Sequence, residues 1–190
     1  MADAVSLGNA QYSLAEAAIL SEPWLSTSTL PDELARPAVV TEAVQPPAPA
    51  LRKVLIRKRG PHVSAEIQAG GPLPRSFLKS VEGVVELLSL PAGWNSYSAE
   101  PIAPQNAIAA IRLLAELLGP GTPAPVVVPT VRGGIQLEWH TNGIDIEIYI
   151  DSPEDIRFFA EEVGSGQTCE EPLAGHEHTL KLWVQRVSGK

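Results

Sequence analysis

The dipeptide Asn142-Gly143 constrains this chain more than any other feature. A two-residue hairpin turn that matches the twist of its strands needs positive φ at both central positions, and Asn-Gly accepts that conformation readily. On either side the residues alternate: Ile135-Gln136-Leu137-Glu138-Trp139-His140 before the turn, Ile144-Asp145-Ile146-Glu147-Ile148-Tyr149-Ile150 after it. Alternation with period two predicts strands with one buried face. With the turn centred on 142 and 143, Thr141 faces Ile144, His140 faces Asp145 and Trp139 faces Ile146. Glu138 then faces Glu147, Leu137 faces Ile148 and Gln136 faces Tyr149. Apolar meets apolar, whereas a slip of one residue would set Trp139 opposite a charge.

The rest of the pattern predicts an α+β fold: an antiparallel β-meander packed on one face by helices, behind a proline-rich N-terminal tail. Phe77, Val81, Val84, Val85 and Leu88 recur at helical spacing, with Ser76 placed to cap that helix and Pro91 and Gly93 beyond it. A second helix opens at Pro104, where a missing N–H costs nothing, carries Ile108, Ile111, Ala115 and Leu118 on one face, and stops at Gly119-Pro120. Val126-Val127-Val128 reads as a strand, and Gly133-Gly134 as a turn. Residues 152–163 suit two readings. Ser152-Pro153-Glu154-Asp155 looks like a helix start, yet Ile156-Arg157-Phe158-Phe159 after a hairpin continues a sheet, and the strand is preferred. Leu180, Trp183, Val184 and Val187 mark a last helix whose apolar stripe should cover the sheet.

Three segments are expected. Residues 1–50 form a weakly structured tail with prolines at 23, 31, 37, 46, 47 and 49. Within it, Ser13–Leu20 can form two helical turns with Ser13 and Glu16 as a capping box, followed by Trp24. That piece is a candidate to dock on a partner or fold back on its own domain. Residues 51–74 are a basic segment and linker, and the α+β domain spans 75–190.

The 190 residues carry a formal net charge of −8, which disfavours broad attraction to nucleic acid or anionic membrane. The concentrated positive charge lies in 52–59, Arg-Lys-Val-Leu-Ile-Arg-Lys-Arg, with no aromatic interleaved. A strand or solvated linker explains it better than phosphate contact. One cysteine, Cys169, excludes an internal disulfide and fits a reducing compartment; an inert thiol near a turn is expected. No run approaches a membrane span and the start Met1-Ala2-Asp3-Ala4-Val5 lacks signal-peptide character, so a cytoplasmic location is expected.

The hairpin's other face gathers Gln136, Glu138, His140, Asp145, Glu147 and Tyr149. Glu138 opposite Glu147 is repulsive, and three arrangements relieve it: solvent with a nearby arginine (Arg132 or Arg157), a proton held by one glutamate as in acid–base sites, or a divalent cation with His140 and Asp145 as further ligands. A solvated face is the common outcome for one-sided sheets. His176-Glu177-His178 reads as a polar cap before the last helix rather than as metal ligands. The loop Gly93-Trp94-Asn95-Ser96-Tyr97-Ser98-Ala99 holds two aromatics; Trp94 is expected to plug the gap between helices and sheet, with contact to a ligand or partner as the alternative.

The order of these motifs resembles a group of small bacterial proteins that share a Gly-Trp-Asn/Asp loop, here Gly93-Trp94-Asn95, and a Gly-Gly-hydrophobic-Gln-hydrophobic-Glu-Trp strand, here Gly133–Trp139. The resemblance covers residues 77–150. It implies a bacterial setting and a compact α+β fold, and it carries over no activity and no catalytic residues.

The leading expectation is a non-enzymatic accessory protein that binds another protein, encoded beside it, through the tail and the acidic or aromatic surface. Trp94, Asn95, Tyr97, Gln136, Glu138, His140, Asp145 and Glu147 are the binding candidates; no catalytic residue, metal or cofactor is assigned. The alternatives are a carboxylate/His-based enzyme using Glu138, Glu147 and His140, with or without a metal, and nucleic-acid contact through 52–59.

Overall fold

The structure is a computed structural model that describes residues 50–59 and 62–189. The short helix expected at Ser13–Leu20, with Trp24, lies outside the described residues. Five strands form one antiparallel meander: β3 (Val126–Pro129), β4 (Ile135–Thr141), β5 (Ile144–Ile150), β6 (Ile156–Glu162) and β7 (Gln167–Pro172), neighbours in sequence pairing in order. Before them come a separate hairpin, β1 (Leu51–Arg59) with β2 (His62–Ala69), and the helices α1 (Arg75–Leu87) and α2 (Pro104–Leu117). Helix α3 (Glu177–Val187) follows the sheet. The architecture is α+β, as expected.

The β4–β5 register is the one the alternation requires, from Gln136 opposite Tyr149 to Thr141 opposite Ile144. Asn142 and Gly143 hold φ of 56° and 72°. Asn142 also ties the turn to the C-terminus of α3, its Nδ2 donating to the Val187 carbonyl at 2.7 Å. Ile135, Leu137, Trp139, Ile144, Ile146, Ile148, Ile150, Phe158 and Ala160 are buried on the inner face. α2 packs over β4 and β5, α3 over β5, and α1 along β3. Leu180, Trp183, Val184 and Val187 form the stripe of α3 that enters this core. Burying these branched and aromatic side chains, each worth about 1.5–3 kcal/mol, drives the assembly.

The ordered structure begins before Arg75. Val54, Ile56, Val63, Ala65 and Ile67 alternate along β1 and β2 and join the core cluster against α1 and α2, so of the two readings of 52–59, strand or solvated linker, the strand holds, as half of a packed hairpin. α2 therefore lies between hairpin and sheet and buries residues on several sides, among them Ala107, Ala110, Leu113, Leu114 and Leu117. The capping role expected for Ser76 is corrected. α1 starts two residues earlier, with Pro74 rather than Ser76 at the cap position and no side-chain cap, and the Ser76 carbonyl instead accepts the Ser80 hydroxyl at 2.8 Å. Pro104 opens α2 as expected. Strand β6 confirms the strand reading of residues 156–162.

Gly133 and Gly134 are required by close approach as much as by turning. A Cβ on Gly133, at φ 75°, would meet the Pro101 carbonyl at 2.7 Å. One on Gly134 would meet both the Ile150 carbonyl and the Thr130 hydroxyl at 2.7 Å. Asn106, buried in the first turn of α2, donates from Nδ2 to the carbonyls of Gly133 and Asp151, each at 3.0 Å. It clamps the loops at one end of the sheet, where the outer face has its depression.

Candidate functional site on the outer face of the sheet

The pairing of β3 to β7 orders the outer face into rows. One row runs Val126, Glu138, Glu147, Phe159 and Glu170; the next runs Val128, Gln136, Tyr149, Arg157 and Pro172; a third holds His140, Asp145, Glu161 and Thr168. Gln136, Glu138, Asp145, Glu147 and Tyr149 are half-buried and His140 is exposed, so the structure brings together the candidates drawn from the hairpin.

Glu138 and Glu147 stand opposite each other, as the register demands, and avoid contact by turning to different partners. Glu147 accepts hydrogen bonds from the Gln136 amide, at 3.1 Å, and from the Tyr149 hydroxyl. Glu138 lies 3.5 Å from Nε2 of His140, whose Nδ1 is 3.1 Å from Asp145. Of the three arrangements that could relieve the repulsion, an ion pair to Arg132 or Arg157 is not the one formed. Arg157 pairs with Asp151 at 3.2 Å and sets its guanidinium 4.6 Å from the centre of the Tyr149 ring, and Arg132 makes no ion pair with either glutamate. The reason is geometric: Arg157 sits in the next row, opposite Tyr149.

Two groups respond to these contacts. The hydrogen bond to Glu147, then burial and the Glu147 charge, push the Tyr149 phenol from 10.0 up to about 12, against the opposing charge of Arg157. The hydrogen bond with Asp145 raises His140 above 6.5, with Glu138 adding to it and partial burial opposing it. An imidazole biased toward its cation between two carboxylates is a structural pairing more than a free general base. Among the described residues no group of three or more His, Cys, Asp or Glu side chains is placed to hold a metal ion. His176 stands at the N-cap of α3 without a side-chain cap, its Nδ1 3.1 Å from the Pro172 carbonyl and its Nε2 3.7 Å from Glu171.

The aromatic loop is a self-contained unit beside this face. Asn95 Oδ1 accepts the N–H groups of Tyr97 at 3.0 Å and Ala99 at 3.2 Å, and Gly93 N–H donates to the Ala99 carbonyl at 2.8 Å. Such an Asx closure spends the Asn95 side chain on the loop itself. Trp94 is half-buried and outside the core cluster, so it does not plug the gap between helices and sheet; Ala99 and Ile102 are buried instead. Its indole N–H donates to the Glu100 carbonyl at 3.2 Å, which pins the loop. Tyr97 is 86% exposed. Glu100 N–H donates to the Val131 carbonyl at 2.9 Å, joining the loop to the turn that rims the outer face.

Pro129, Thr130, Val131, Arg132, Gln136, Tyr149, Asp151 and Arg157 line a shallow depression of about 380 Å³ at that rim. Sequence reasoning singles out Arg132 and Arg157 for a different role and passes over Thr130 and Asp151. Once β6 is read as a strand, Arg157 opposite Tyr149 follows, but Arg132 reaches the same place only through the turn packed on Pro101. Cys169 lies on β7 rather than at a turn, and burial pushes its thiol up, the reverse of an activated nucleophile.

Comparison with protein-family models, with curated proteins and with solved structures finds no match for this chain. No helix among the described residues is long and apolar enough to cross a membrane.

Proposed function

We propose that this chain is a non-enzymatic accessory protein of a bacterial cell whose outer sheet face binds a cationic segment of another protein, with the N-terminal tail as a second contact. The observation that carries this reading is the composition of the face. Glu138, Asp145, Glu147, Glu161 and Glu170 share it with Phe159 and Tyr149, while the helices pack against the opposite side. Carboxylates around aromatic and aliphatic patches suit lysine or arginine side chains, which lay apolar stems on such surface and pair at their ends. Glu138 and Glu147, each turned to its own partner, offer less to acid–base chemistry than two carboxylates converging on one space.

The test is affinity capture with the full chain as bait, beside a variant carrying Glu161→Lys and Glu170→Lys. A stoichiometric partner with a basic segment, held by the native chain, released by salt and lost with the variant, is the expected result. A native chain that retains no stoichiometric partner under mild conditions, or one retained equally by the variant, overturns the reading.

A further inference from the structure

The depression beside Tyr149 differs in sign from the rest of its face. Arg132 and Arg157 both line it, against the single carboxylate of Asp151, in a chain of net charge −8. Arg157 is held in place from two sides, by Asp151 at 3.2 Å and by the Tyr149 ring at 4.6 Å. That ion pair uses one of its nitrogens, Nη2. A guanidinium has five N–H donors, so most of them remain for a ligand. Arg132 makes no ion pair among the described residues. Thr130 accepts the Gly134 N–H at 3.0 Å and keeps its own hydroxyl proton to donate. Pro129 and Val131 supply apolar wall beside these donors.

We infer that this depression is a binding site for a carboxylate attached to a small apolar group, held by Arg132 and Arg157 with Thr130 as a further donor. Guanidinium and carboxylate match in planar, two-pronged geometry, and the site places two forks at one cavity. A monoanion is the class that fits: the two guanidiniums of the lining stand against the one carboxylate of Asp151, which leaves a single positive charge for a ligand to balance. The volume accommodates a ligand of modest size. The site shares Tyr149 with the face proposed to bind a partner, but its donors Arg132, Arg157 and Thr130 are not among the carboxylates of that proposal, so the two readings fail separately.

Titration of the full chain with 3-phenylpropionate, followed by amide and arginine side-chain NMR signals, tests it. The expected result is saturable movement of the Thr130, Val131 and Arg132 amides and the Arg157 Nε–H, with 3-phenylpropionamide giving none. Arg132→Gln should weaken binding at least about tenfold, the scale of one lost charge-assisted contact. Lys79→Gln, which removes a positive charge on an exposed position of α1, should change it less than about twofold. Arg157→Gln also removes the Asp151 pair and is therefore read beside Arg132→Gln. The inference is overturned by an amide that binds as tightly as the acid, by equal losses in Arg132→Gln and Lys79→Gln, by tighter binding of phenyl phosphate, or by no saturable movement.

Discussion

The two faces of the five-stranded sheet are built from the same strands by different rules. On the inner face, Ile135, Leu137, Ile146, Ile148 and Ile150 are fully buried, and any residue of similar shape and apolarity would serve. On the outer face the same strands carry groups that matter by identity. Gln136 and Tyr149 both donate to Glu147, and His140 lies between Glu138 and Asp145. The first face resists change through volume. The second resists it through a few directional contacts and sorts charge along its length, with guanidiniums near the Gly133 end and carboxylates toward the Asn142 turn. One backbone register can thus fix a core rigidly while leaving the reverse side free to specialise.

The contrast between the faces is largest on the inner one. Leu137→Ala should cost about 2–5 kcal/mol in denaturant unfolding, since the cavity lies between sheet and helices, whereas Glu138→Gln one residue away should stay within about 0.5 kcal/mol. Equal effects would mean that the faces are not distinct energetically. At the sheet's end, Gly134→Ala should destabilise by about 1–3 kcal/mol, because the new methyl meets the Ile150 backbone carbonyl, held by its strand, and the Thr130 side-chain hydroxyl. Thermal melts of Gly134→Ala beside Gly143→Ala separate crowding from positive φ alone, since nothing lies within 4 Å of a Cβ on Gly143.

The outer-face contacts give smaller effects, best read by pH. Tyr149→Phe should lose about 1 kcal/mol, the net worth of its hydrogen bond to Glu147. Its phenol, at about 12 in the folded chain against an ordinary 10.0, stabilises the fold fully below pH 10 and ceases to do so as pH rises through 12. Ultraviolet titration should show one tyrosine ionising late, and Glu147→Gln should bring it earlier; no late component would refute the contact. The smallest effect is at His140, raised above 6.5 chiefly by Asp145. Its contribution is complete below pH 6.5 and lost as pH climbs through the raised value. Its NMR titration midpoint should fall toward 6.5 in Asp145→Asn, and an unchanged midpoint would remove the pairing.

Much of this arrangement is legible in the amino-acid order. The β4–β5 register, the burial of Trp139 (2% exposed), the α3 stripe and the gathering of Gln136, Glu138, His140, Asp145 and Glu147 on one face follow from period and turn chemistry. Strand β7 is not legible, because Gln167-Thr168-Cys169-Glu170-Glu171-Pro172 is an edge strand with little apolar character, packed against the core only through Cys169. The β1–β2 hairpin is obscured by its exposed cations, which outnumber the inward Val54 and Ile56. Trp94 reads as an anchor of the core because aromatics usually are; the hydrogen-bond closure of its own loop decides otherwise.

Local patterning therefore determined which residues alternate, where the chain reverses and which side of the central hairpin is apolar, since these depend on neighbours a few positions away. Tertiary structure alone decided how Glu138 and Glu147 divide their partners, why both Gly133 and Gly134 must lack a side chain, and that Arg132 and Arg157 meet at one cavity. The glycine and arginine outcomes arise from contacts between segments distant in sequence, and the glutamates' choice among near neighbours depends on distance and direction, which no period in the sequence records.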